Sequence, residues 1–135
     1  RILIPRAEVA RELLPEELRA AGAHVDVIPV YRTLAPDQDS GGWRQELMDH
    51  QIHVVTFTSS STVRNFVAML GGTEAVKPLV QSVMIACIGP ITAKTAEEYG
   101  LTVSIMPDEN TIPALVDAIA HHYESREQVA TGALQ

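Results

Sequence analysis

The chain has 135 residues, of which 46% are hydrophobic and 20% charged, and a formal net charge of -7. That content suffices for one buried core, while the negative balance excludes the clustered basic face that nucleic acid demands. No apolar run approaches the roughly 20 residues that cross a bilayer, and the single cysteine, Cys87, excludes an internal disulfide and fits a reducing, cytoplasmic setting.

The chain opens on Arg1 rather than Met, as expected of a piece of a longer protein. Residues 1–5 are an apolar run closed by proline, a buried strand. Residues 8–21 carry Val9, Leu13, Leu14, Leu18 and Ala21 at helical spacing, with a kink or restart expected at Pro15 and Gly22 ending the helix. Residues 25–31 form a second strand, completing a βαβ unit with a right-handed crossover. Residues 32–42, polar and broken by Pro and Gly, read as a linker or hinge.

A short helix follows at 43–48, with Trp43, Leu47 and Met48 turned inward. Residues 52–57 form a third strand rich in β-branched side chains. A helix at 62–70 stops at Gly71-Gly72, and residues 73–81 add a turn or two. The fourth strand, 83–88, ends at Gly89-Pro90; a helix at 91–99 closes at Gly100; the fifth strand is 101–106. Residues 112–123 are a last amphipathic helix, and 125–135 a loose tail. This alternation predicts an α/β fold: one domain over residues 1–124, built on a flavodoxin-like five-stranded parallel sheet in the order 2-1-3-4-5 with helices on both faces.

Two strand–loop–helix junctions look alike, FTSSSTV at 57–63 and IGPITAK at 88–94. Both put small or hydroxyl residues beyond the carboxyl end of a strand, where open α/β sheets bind ligands. Thr58, Ser59, Ser60, Ser61 and Thr62 are five hydroxyl residues in a row. One of Ser59, Ser60 or Ser61 caps the next helix; a single cap leaves the others to donate to an anionic ligand, helped by free helix N–H groups. At the second junction Pro90 suits the first helical position. Gly89 either relieves a crowded turn or lets a ligand approach the main chain, with Thr92 as donor.

Arg6, after the first strand, and Arg64, in the first turn of a helix, are candidate carboxylate partners or plain surface charges. Tyr31 is a half-buried aromatic with a wet hydroxyl or a polar group at a cleft rim. No phosphate loop, dinucleotide fingerprint, G-x-S-x-G elbow or metal-ligand spacing is present, and His121-His122 are adjacent rather than one turn apart. Cys87, inside a strand, reads as a small buried hydrophobe.

The residues together resemble uroporphyrinogen-III synthases. The resemblance lies in Leu14-Pro15-Glu16-Glu17-Leu18, Gly22-Ala23-His24-Val25, Val30-Tyr31-Arg32-Thr33, the two junctions, and Thr111-Ile112-Pro113-Ala114-Leu115, in order from Arg1 to about Tyr123. It implies closure of linear hydroxymethylbilane to uroporphyrinogen III, with inversion of the last pyrrole ring and loss of water, in haem, sirohaem and cobalamin biosynthesis. It implies no metal or organic cofactor, and no nucleic-acid or membrane partner. The substrate is ringed with carboxylates, which hydroxyls and N–H groups can receive even on an acidic chain. Positioning and oriented dipoles can dominate such a reaction.

By resemblance, Tyr31 is the tyrosine that assists loss of the hydroxyl, and Ser59, Ser60 and Thr92 face the tetrapyrrole. Ile91 departs from members with Thr-Thr at 91–92, which leaves Thr92 as the threonine to test.

The family builds two similar α/β domains with the active site between them, and some members are fused to a methyltransferase. This sequence matches only the back half: residues 1 to about 30 correspond to the end of the second domain, and those from about 33 to most of the first. The piece is therefore expected to be inactive alone. It either closes into one five-stranded domain or, extended at 32–42, exchanges its leading βαβ unit in a swapped homodimer. The alternative reading is a non-catalytic flavodoxin-like small-molecule binding module.

Overall fold

The structure is a computed structural model that describes residues 1–34 and 42–132. The chain divides into two compact units, Arg1–Leu34 and Ala35–Gln135. Most of the expected linker, residues 35–41, and the last three residues of the expected tail lie outside the described residues.

The first unit is the predicted βαβ: β1 (Ile2–Ala7), α1 (Leu13–Ala20) and β2 (Val25–Tyr31). β1 and β2 pair in parallel from Ile2 opposite Val25 to Ala7 opposite Tyr31, with an irregularity between Arg6 and Ala7. The Ile2 N–H donates to the His24 carbonyl (2.7 Å). Even-numbered residues before the irregularity thus point their backbone groups at β2, and Pro5 turns its missing N–H to the other edge, where a proline is tolerated.

The helix is shorter than its apolar spacing suggests, because Pro15 sits in the first turn rather than in a kinked middle. There its missing N–H would have had no partner anyway. Gly22 ends α1 in the left-handed conformation (φ 91°), with bonds from Gly22 N–H to Arg19 O and Ala23 N–H to Leu18 O. Val25 is buried, whereas Leu3, Ile28 and Val30 on the opposite sheet face are exposed.

The second unit contains α2 (Trp43–Met48), β3 (Val54–Phe57), α3 (Ser60–Met69), α4 (Thr73–Leu79), β4 (Met84–Cys87), α5 (Pro90–Glu98), β5 (Val103–Ile105) and α6 (Ile112–Gly132). Its sheet is parallel, in the order β3-β4-β5. Alternation along β4 serves two cores. Ile85 and Cys87 join Leu47, Phe57, Val63, Val67, Leu70, Val76, Ala96 and Leu101 under α2–α5, while Ala86 packs with Ile105 and Leu115 under α6.

The architecture is therefore α/β with parallel sheets, β1-β2 in the first unit and β3-β4-β5 in the second. The strands that would join them fall in different units. Three smaller expectations are corrected. Of the three α2 side chains, only Leu47 is buried (1% exposed), against 47% for Trp43 and 54% for Met48. Helix α3 starts at Ser60, two residues before the expected Thr62, because the cap falls on Ser59. Helix α6 runs to Gly132 instead of fading at Tyr123; residues 124–131 lack an apolar stripe but include the good helix formers Glu, Arg, Gln and Ala.

Candidate functional site

Adjacent strands β3, β4 and β5 end at Phe57, Cys87 and Ile105, so the segments 58–61, 88–92 and 106–111 leave one edge of the sheet together. Ile88 N–H still donates to Phe57 O (3.0 Å), which ties the first two junctions at their base.

At the first junction, Ser59 is the N-cap of α3. Its Oγ accepts from the Thr62 N–H (3.3 Å), and the Ser59 N–H donates to Thr62 Oγ1 (3.4 Å), a reciprocal capping box. The Thr62 hydroxyl donates to the Ser59 carbonyl (2.7 Å), and Ser61 Oγ lies 3.0 Å from Ser59 Oγ. The cap thus engages three hydroxyls, not one.

Ser60 faces α5 instead: Thr95 Oγ1 lies 2.8 Å from Ser60 Oγ and 3.1 Å from the Ile91 carbonyl, so the two hydroxyls share one chain of hydrogen bonds onto α5. Thr58 is exposed.

At the second junction Gly89 is the N-cap of α5, Pro90 opens the helix as expected, and no side chain caps it. Ala93 N–H donates to Gly89 O (3.0 Å), while the N–H groups of Ile91 and Thr92 have no backbone partner among the described residues. Thr92 is 5% exposed. Among the described residues only His122 Nε2 is a fully buried side-chain polar atom without a partner, so the Thr92 hydroxyl, which bonds nothing, retains access to solvent.

Gly89 has an ordinary extended backbone (φ -174°, ψ 177°), so no crowded turn demands it. Instead, a Cβ there would lie 2.5 Å from Asn110 Oδ1, 2.6 Å from its Cγ and 3.0 Å from its Nδ2. Asn110, from the third junction, occupies the space over the glycine.

The structure therefore brings Thr58, Ser59, Ser60, Ser61, Gly89 and Thr92 to one edge of the second unit. Arg64 lies on α3 beyond the cap, exposed and without an ion pair among the described residues. Tyr31 and Arg6 belong to the first unit. Tyr31 closes β2 and is 63% exposed, more open than the half-buried ring expected. Arg6 is already paired with the Glu12 carboxylate and donates to Arg11 O (3.0 Å).

The Cys87 thiol is pushed up to about 11, first by burial and then by the Glu97 charge, and stays protonated at neutral pH. Among the described residues no group of three or more His, Cys, Asp or Glu side chains could hold a metal ion.

Two residues escape the sequence reading, Thr95 and Asn110. Thr95 stands four residues after Ile91, one helical turn along. Asn110 comes five residues after β5 ends at Ile105, on the segment that leaves the same edge of the sheet as those of Ser59 and Gly89. Extending the strand-end rule to the third junction would have found it.

Fold and site define the class: a parallel α/β protein with a mouth of hydroxyls, free helix N–H groups and an amide at the carboxyl ends of its strands. Residues 1–117 match the family described as uroporphyrinogen-III synthase HemD, and the chain belongs to that family.

A putative uroporphyrinogen-III synthase of Methanothermobacter thermautotrophicus is 34% identical over 124 residues, 89% of this chain and 48% of that protein. The uroporphyrinogen-III synthase of Synechococcus elongatus is 34% identical over 122 residues, 88% of this chain and 46% of that one. The crystal structure of uroporphyrinogen III synthase from the extremely thermophilic bacterium Thermus thermophilus aligns with a TM-score of 0.62 at 16% identity, over 96% of this chain and 51% of that chain. At that identity the alignment speaks for the fold alone. The chain spans about half the length of the relatives it matches.

Proposed function

We propose that this chain is part of a uroporphyrinogen-III synthase, which closes hydroxymethylbilane to uroporphyrinogen III with inversion of the last ring and loss of water. The observation that carries this reading is the family match across residues 1–117. The mouth supports it: Ser60, Thr92 and the free N–H groups of Ile91 and Thr92 offer uncharged donors to substrate carboxylates. On an acidic chain such local donors, rather than a basic field, receive the anion. Thr58, Ser59 and Ser61 complete that wall, Arg64 is a carboxylate partner at its rim, and Gly89 contributes its main chain and the room that Asn110 takes. Arg6 would join only by leaving Glu12.

Tyr31 is assigned the assisting role at the departing hydroxyl. Its exposed phenol supports that role. In this reading the enzyme works in the cytoplasm. Residues 1–124 supply the second half of the family's two-domain body, and a five-stranded order 2-1-3-4-5 forms only when β1 and β3 gain strand neighbours. A second copy of this chain, exchanging its leading unit, is one source of them.

Hydroxymethylbilane turnover tests the proposal. The chain extended to the length of its relatives should form uroporphyrinogen III, Tyr31→Phe and Thr92→Ala should each slow it, and the 135-residue chain should be inactive. An extended chain with no turnover refutes the function. Unchanged turnover in both variants refutes the site, and turnover by the short chain refutes the half-site reading.

A further inference from the structure

We propose that Asn110 is a ligand-binding residue of the mouth, donating its amide to a substrate carboxylate beside the free N–H groups of Ile91 and Thr92. This rests on the tetrapyrrole reading of the same site. Asn110 fills the volume a side chain at Gly89 would need. A ligand approaching that part of the main chain therefore meets the asparagine amide first, and the glycine serves the asparagine rather than the ligand.

Nothing in the fold uses that amide. Thr111, not Asn110, caps α6, its Oγ1 accepting from the Ala114 N–H (3.3 Å). The Asn110 side chain makes no hydrogen bond among the described residues, although it is exposed and carries two N–H donors. Its amide lies over Gly89 and its donors are free.

The local charge sharpens the assignment. Asp108 and Glu109 precede Asn110 and are exposed, so the loop has no cation to offer an anion. The neighbouring α5 N-terminus has free N–H groups and a buried Thr92 (5% exposed) whose hydroxyl is unpartnered. The Asn110 amide extends the donor row without further negative charge. A carboxylate held there would accept from Asn110 Nδ2 and from the α5 N–H groups together.

The test is a fluorescence titration of the 135-residue chain with uroporphyrin III, a stable probe bearing the same carboxylates. Asn110→Ala should weaken binding about tenfold, the size of one lost hydrogen bond to a charged group. Asn110→Asp should weaken it further, with a loss that shrinks as salt is added. Both variants should keep the wild-type urea midpoint at Trp43. Wild-type affinity within about twofold in Asn110→Asp, less than one such bond is worth, overturns the role of Asn110 and leaves the family reading standing. A binding loss matched by a fall in the unfolding midpoint also overturns it, because the residue would then act through the fold. No binding by the wild-type chain overturns both readings for this half.

Discussion

Replacing Gly89 with alanine puts a methyl group where the Asn110 amide lies. The backbone costs nothing, since φ is -174° and any residue adopts that conformation. The clash is the whole effect: contacts of 2.5 and 2.6 Å fall well inside ordinary van der Waals contact, which begins near 3.4 Å. Overpacking costs about 1–3 kcal/mol in a core, the low end applying here because the atoms met are the far end of an exposed side chain that can swing aside, and the reduced entropy of the unfolded chain returns about 0.4–1 kcal/mol. Gly89→Ala should therefore lose at most about 0.6 kcal/mol, or about 2–4 °C in a unit of this size. In an Asn110→Ala background the clash disappears and the same substitution should be neutral or slightly stabilising. The coupling between the two sites is then about 1 kcal/mol, in the range for residues in contact. Urea unfolding followed at Trp43, the sole tryptophan and part of the second unit, reads the four proteins of this cycle. Equal effects of the substitution in the two backgrounds would refute the packing of Asn110 on Gly89.

Ser59→Ala removes the acceptor at the centre of the α3 cap and should lower stability by about 1 kcal/mol, read as a shift in the same urea midpoint. An unchanged midpoint would mean that Ser61 and Thr62 cap the helix without it. Cys87 should resist a thiol-specific disulfide reagent at mildly alkaline pH in the native chain and react at once in urea, because burial keeps it protonated. Its folded value is raised from 9.0 to about 11. Above pH 9.0 the unfolded chain therefore binds fewer protons than the folded one. This contribution to stability is complete below pH 9.0 and lost as pH rises through about 11. Cys87→Ala should flatten the alkaline fall in urea midpoint, and an equally steep fall would refute the assignment.

Much of the fold was legible because each element carries its own signal. The β-branched run before Phe57, the glycines at 22, 71, 72 and 100, and the Gly-Pro start of α5 located their elements within a few residues. Features set by competition between neighbours were less legible. Pro15 is as consistent with a kink as with a first turn, and only the absence of helix over residues 8–12 decides between them. Trp43 and Leu47 are one turn apart on a short helix, so spacing alone could not say that only Leu47 enters the core. The division between sheets is hidden for a different reason. Strand patterns show what each strand buries, not which strand lies beside it.

The candidate site was legible as a location more than as a set of contacts. The hydroxyl run and the Gly-Pro turn announce a strand-end mouth. The allocation of hydroxyls to the cap and to Thr95, however, depends on side-chain geometry that no spacing encodes. Gly89 shows the difference well: a glycine next to a helix start invites a conformational explanation, whereas the structure gives a steric one from a residue 21 positions away (110 minus 89).

Pro5 carries a consequence for anything that would lengthen the β1-β2 sheet. On the flank away from β2, the row of donors has a gap where Pro5 has no hydrogen to give, while its carbonyl still points outward. An incoming strand can bond fully above and below that gap but not across it, so sliding the strand by one pair changes how many bonds it makes. The flank thus acts as a ruler: it favours some alignments of a neighbour over others and discourages indiscriminate pairing by extended chains.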